Sequence, residues 1–139
     1  MTYDFLIGID PGVNTGVAIW DGKILMYCKS HNIVEAAHIV KSYADNHNVK
    51  VYFEDARQRH WFGNSGREKL LGAGSVRRDS QIWETFCVTF NIPYVMIPPK
   101  NNMTKLNSKT FKAYTGWEGQ TNEHGRDAAM LVFKRRMTD

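Results

Sequence analysis

The sequence predicts an α/β protein built on a mixed five-stranded sheet, its first three strands antiparallel, with helices on its faces. Three observations lead there. Three β-prone runs follow one another within residues 3–30, separated by Pro11-Gly12 and Asp21-Gly22, residue types that favour tight turns. Helical and β-prone segments then alternate as helix, strand, helix, strand up to Ile97. The 139 residues, 42% hydrophobic and 23% charged, suit one domain spanning 1–139 with one core, and no linker or repeat divides them.

The first strand runs over about 3–10 and ends on Asp10. The second covers about 15–21, and the third 23–30, with Ile24, Met26 and Cys28 at alternate positions. Asn32 and Glu35 make a capping box that opens a helix to about Asn46. Its apolar positions Ile33, Ala36, Ala37, Val40 and Ala44 keep the helical period and face the sheet. Val49 to Glu54 is a fourth strand, again ending on a carboxylate. The polar, basic and aromatic stretch 55–66 reads as a mobile loop.

A helix resumes near Arg67, weakens at Gly72 and Gly74, and runs from about Val76 to Phe90 with Ile82, Trp83, Phe86 and Phe90 as its apolar stripe. Tyr94 to Ile97 is the last strand, stopped by Pro98-Pro99. A short helix over Ser108–Tyr114 and a final helix, capped by Asn122 and reaching about Arg136, complete the chain.

The turn after the first strand, Gly8-Ile9-Asp10-Pro11-Gly12-Val13-Asn14-Thr15-Gly16, presents Asp10 at the sheet edge, and Gly12 and Gly16 leave room for a polyanion or metal. An ordinary hairpin with a solvated aspartate accounts for that stretch equally well. The balance shifts because Glu54 ends another strand, and His124 and Asp127 share one face at the start of the final helix. Capping by Glu123 or His124, and a surface role for Asp127, explain those residues only one at a time. Three carboxylates at element ends form a set suited to hard divalent cations, Mg²⁺ or Mn²⁺.

Net charge is +4 but uneven. Residues 57–112 hold ten Lys or Arg against Glu68, Asp79 and Glu84, whereas residues 1–50 hold four basic and five acidic groups. Such a basic zone is a footprint for phosphates, with a solubilising surface as the plainer alternative. Cys28 and Cys87 have neither metal-ligand spacing nor a disulfide framework, and no apolar run reaches membrane-spanning length. With no signal peptide visible, these features lead us to expect an intracellular, cytoplasmic protein without a membrane partner.

The Gly8-Ile9-Asp10-Pro11-Gly12 segment, the Thr15-Gly16 pair, the strand ending at Glu54 and His124-x-x-Asp127 before Ala128-Ala129 together resemble the RuvC-type Holliday junction resolvases. These belong to the ribonuclease H-like fold. The resemblance implies that Asp10, Glu54 and Asp127 are catalytic metal ligands and that His124 fills a position taken by Asp or His in that family. It also implies two Mg²⁺ or Mn²⁺ ions per site, symmetric cleavage of four-way DNA junctions and a homodimer. The compact size and short Gly12–Thr15 spacing suggest a divergent, phage-encoded branch in a bacterial or infected cell. DNA contacts expected on this basis are Arg57, Arg59, Trp61, Phe62, Arg67, Arg77, Arg78, Lys100, Lys105, Lys109 and Lys112, with Trp61-Phe62 as a wedge into the crossover. YqgF-like RNA nucleases and the actin-like and sugar-kinase ATPases share a comparable opening motif. The ATPases need two large domains, which this chain is too short to supply.

Overall fold

A computed structural model describes residues 1–56, 66–99 and 105–139, with the side chains of 66–73 and 76 outside the description. The strands are β1 (Phe5–Asp10), β2 (Thr15–Asp21), β3 (Ile24–His31), β4 (Val49–Glu54) and β5 (Tyr94–Ile97). The helices are α1 (Ile33–Asn46), α2 (Gly66–Thr89), α3 (Ser108–Thr115) and α4 (Glu123–Val132).

The sheet order is β3-β2-β1-β4-β5. β1–β2 and β2–β3 pair antiparallel, while β1–β4 and β4–β5 pair parallel, which is the mixed sheet the sequence predicts. The hairpin turns behave as their residues dictate. Gly22 adopts a left-handed φ of 59°, and the Thr15 hydroxyl donates to Gly12 O at 2.7 Å to close the β1–β2 turn.

The period of two sorts the strands into faces. Ile7, Ile9, Val17, Ile19, Val51 and Phe53 pack with Ala36 and Val40 of α1 and with Trp83 and Cys87 of α2. Leu6, Ala18, Trp20, Cys28 and Tyr52 pack on the opposite side with Phe111 of α3 and Ala128 to Val132 of α4. By parity Asp10, Gly16 and Glu54 belong to this second face. The candidate site residues therefore stand where α4 lands.

The helix caps follow the sequence. Glu35 N–H donates to Asn32 Oδ1 at 2.9 Å and the Asn32 amide reaches back to Glu35; Gly125 N–H donates to Asn122 Oδ1, also at 2.9 Å. Three expectations need correction. α2 is continuous from Gly66, because its two interior glycines cost about 1 kcal/mol each without breaking the hydrogen-bond ladder. Its inward stripe is Ser80, Trp83 and Cys87, while Ile82 and Phe90 are 43% and 48% exposed. α4 stops at Val132, four residues short of Arg136. There Phe133 leaves the helix, its ring lying 5.9 Å from both Trp20 and Tyr114.

Cys28 and Cys87 are free and buried, and burial pushes both thiols up to about 12, so neither is a nucleophile at neutral pH. Among the described residues no helix is long and apolar enough to cross a membrane.

Candidate active site

The site is assembled by an unusually close helix–sheet contact. A Cβ placed on Gly8 of β1 would stand 2.0 Å from Ala128 O, and one on Gly16 of β2 would stand 2.0 Å from His124 O. Only hydrogen fits at either position, so the two glycines let the backbone of α4 rest on the sheet. Gly125 presents its own bare Cα to Cys28, where an added Cβ would lie 3.1 Å from the sulfur. Polar bonds hold the helix in register: Trp20 Nε1–H donates to Ala129 O at 3.1 Å, and the Asn122 amide donates to the Ser30 hydroxyl at 2.6 Å. This changes the reading of Gly16. Its open space is filled by α4 and is not left for an incoming anion or metal.

The consequence is that His124 meets Asp10 across 114 residues of sequence, with His124 Nδ1 3.1 Å from Asp10 Oδ2. Asp127, one turn further along α4, accepts the Lys105 backbone N–H at 2.9 Å. Lys105 holds a left-handed φ of 62°, which turns the chain toward Asp127. Asp10, His124, Asp127, Glu123, Lys105 and Asn107 line one cleft of about 390 Å³. Arg126 fixes its wall, donating from Nε to Leu106 O and from Nη1 to Thr121 Oγ1, both at 2.8 Å.

Glu54 ends β4, whose Phe53 is in register with Ile9 of the parallel neighbour β1. The Ser80 hydroxyl of α2 donates to Glu54 O at 2.9 Å and secures that strand end. Glu54 does not line the cleft just described, but its charge is felt by Asp10. Burial pushes the Asp10 carboxyl up to about 6, the His124 hydrogen bond works against that rise, and the charges of Asp127 and Glu54 add to it. Asp10 is thus the focus of a carboxylate group with its negative charge only partly compensated. Among the described residues no three His, Cys, Asp or Glu side chains close into a metal cage.

Of the expected DNA contacts, Arg77 and Arg78 are exposed on α2, and Lys109 and Lys112 are exposed on α3. Arg78 lies 3.5 Å from Asp79. Lys105 is exposed beside the cleft. Arg57, Arg59, Trp61, Phe62 and Lys100 lie outside the described residues, as does the Arg67 side chain. Of the expected mobile loop 55–66, Asp55 and Ala56 are instead buried, with Asp55 N–H donating to Ile97 O at 2.7 Å, Gly66 opens α2, and 57–65 lie outside the described residues. The part of the site that sequence reasoning missed is the role of Gly8 and Gly16 as the seat of α4. The available signal was the small-residue face Gly125, Ala128 and Ala129, spaced to meet a glycine-bearing strand pair.

No protein-family model matches the sequence, and no curated protein matches it. Among solved structures, Thermus thermophilus RuvC in complex with a Holliday junction substrate is similar with a TM-score of 0.57 at 12% identity, over 93% of this chain and 90% of that one. The fold is ribonuclease H-like: a mixed five-stranded sheet with antiparallel first strands and helices on both faces.

Proposed function

We propose that the chain is a structure-selective endonuclease that resolves four-way DNA junctions by metal-dependent phosphodiester hydrolysis. The observation that carries the reading is the convergence of Asp10, His124 and Asp127 in one cleft, with Glu54 at the adjoining strand end. The fold shared with a junction-bound RuvC supports the choice of substrate.

The donor set fits a hard cation. Asp10, Glu54 and Asp127 offer carboxylate oxygens, and the raised Asp10 pKa marks a charge that a divalent ion relieves. A closed cage is not required, because Mg²⁺ binds through one or two carboxylates and completes its shell with water and substrate phosphate. Asp10, Glu54 and Asp127 would hold the ions, with His124 as a further ligand or a partner for water. When bound, Mg²⁺ or Mn²⁺ would activate the attacking water and stabilise the leaving oxygen.

The remaining work falls to the chain itself. His124 holds the Asp10 carboxylate in one orientation from Nδ1. Its Nε2 lies 3.6 Å from Glu123, so the ring bridges the buried and exposed sides of the cleft. Lys105, Lys109, Lys112, Arg77 and Arg78 supply phosphate-binding charge, and the Trp61-Phe62 stretch supplies rings to stack on bases at the crossover.

One site per chain cannot make two symmetric cuts, so the working unit would be a two-fold dimer. Ile82 and Phe90, exposed on and just beyond α2, offer an apolar contact for it. Sedimentation at micromolar concentration should give twice the chain mass, and a strict monomer would remove the dimer. The substrate test is nicking in Mg²⁺ of a synthetic four-way junction, a linear duplex and a structured RNA. Preference for the junction supports the reading; preference for RNA would favour a YqgF-like nuclease instead.

A further inference from the structure

At the far end of the molecule from Asp10 lies a second cavity, of about 720 Å³, between the β2–β3 turn and the chain that follows α4. Trp20, Tyr114 and Phe133 give it an aromatic floor, and Lys23, Lys134 and Arg136 stand around it. No carboxylate lines it among the described residues. β2 begins beside Asp10 and ends at Asp21 next to this cavity, seven residues or about 20 Å away, so the two sites do not overlap.

The aromatic faces are differently available. Trp20 is 2% exposed and forms the base, while Tyr114 is 49% exposed and stands at the opening. Phe133 links them, its ring 5.9 Å from each. Lys134, in a left-handed φ of 65°, holds its ammonium 5.5 Å from the Phe133 ring centre. All three flanking cations are exposed. Arg135 is already engaged elsewhere, donating from Nε to Leu131 O at 3.2 Å with its guanidinium over Tyr52.

We infer that this cavity is a nucleotide-binding subsite for single-stranded nucleic acid, which takes an unpaired base against Tyr114 and Phe133 and its phosphates on Lys23, Lys134 and Arg136. Charge complementarity selects an anion, and an apolar floor of rings selects one that carries a flat aromatic group. A single strand has both, repeated along its length, whereas a duplex hides the faces of its bases. An acidic peptide would satisfy the cations but leave the rings without a stacking partner. The inference rests on this cavity and not on the proposed cleavage reaction.

The test uses the full chain and a fluorescein-labelled thymidine decamer, without metal. Anisotropy should show binding that weakens about tenfold in Tyr114→Ala and in the Lys134→Ala/Arg136→Ala double variant, with Tyr114→Phe retaining it. An abasic decamer with the same phosphates should bind about tenfold more weakly than the thymidine strand. Photocrosslinking of a decamer carrying one 5-iodouracil should mark the peptide containing Tyr114 or Phe133, which separates this cavity from the catalytic cleft. Equal binding of the abasic strand, crosslinks confined to other peptides, or no binding of the decamer would each overturn the inference. Junction cleavage is not the readout, so failure here and failure of the proposed reaction are told apart.

Discussion

Replacing Gly16 by alanine should dismantle the site without substituting any of its candidate residues. The added Cβ would lie 2.0 Å from His124 O, and ordinary contact begins at 3.4 Å, so α4 must retreat from β2 by about 1.4 Å. The same Cβ presses on Asp10 Cβ, 3.1 Å away on the neighbouring strand. The His124–Asp10 bond, 3.1 Å long, cannot survive a separation of that size. Misplacement by about 1 Å costs roughly 100-fold in rate, and overpacking of this kind costs about 1–3 kcal/mol of stability. For a chain of this length the latter corresponds to a melting temperature lower by roughly 3–10 °C.

Gly74→Ala is the matched control. Its Cβ would meet nothing within 4 Å, and an alanine inside α2 should stabilise the chain by about 0.5–1 kcal/mol. Single-turnover cleavage of a junction and thermal melts on both variants decide the matter. If Gly16→Ala cuts and melts like the unsubstituted chain, α4 is not seated by Gly16 and the geometry of the site is wrong.

Other perturbations are simpler. Asp10 ionises with difficulty in the folded chain, so its contribution to stability is greatest below pH 3.8 and is lost as the pH rises to about 6. Urea titrations in EDTA should therefore show Asp10→Asn gaining on the unsubstituted chain across that window, by about 2–3 kcal/mol at pH 7, with Mg²⁺ narrowing the gap. Equal pH profiles would show that Asp10 carries no such penalty. Glu54→Gln and Asp127→Asn should each reduce cleavage by orders of magnitude, with junction binding retained in gel-shift assays; near-normal cleavage by either removes that residue from the site. His124→Asp should keep activity and His124→Ala should lose most of it, and full activity of the alanine variant would leave His124 a capping residue. Trp83 is buried with its indole N–H unpartnered among the described residues, so Trp83→Phe should be close to neutral by urea denaturation while Trp83→Ala costs about 3–5 kcal/mol. A large loss in the phenylalanine variant would reveal a partner for that N–H.

Much of this arrangement is legible in the sequence because its signals are local. The apolar, β-prone runs that end on Asp10 and Glu54, the Asp21-Gly22 turn and the Asn32 and Asn122 caps each depend on a few neighbouring residues. Asp10 and Glu54 could be paired because a capped helix joining two strands permits parallel neighbours. What was not legible depends on contacts distant in sequence. Whether Trp83 or Ile82 turns inward is decided by where α2 meets the sheet, and helical period alone admits both. The end of α4 is set by Phe133 finding Trp20 and Tyr114, while the local sequence through Arg136 still favours helix. Gly16 invited the idea of room for a ligand, and only the arrival of His124 from the far end of the chain shows what occupies that room.

The proposed reaction requires that Asp10, Glu54, His124 and Asp127 form one metal-dependent site for cutting branched DNA. It is tested most directly by mapping, strand by strand on a denaturing gel, the cuts made in a four-way junction by the unsubstituted chain and by Asp10→Asn. Paired nicks are expected at symmetric positions on two opposing strands, dependent on Mg²⁺ or Mn²⁺ and abolished in Asp10→Asn while the variant still binds the junction. Cleavage that persists in Asp10→Asn, or an unsubstituted chain that binds junctions in Mg²⁺ and Mn²⁺ without cutting them, would contradict it.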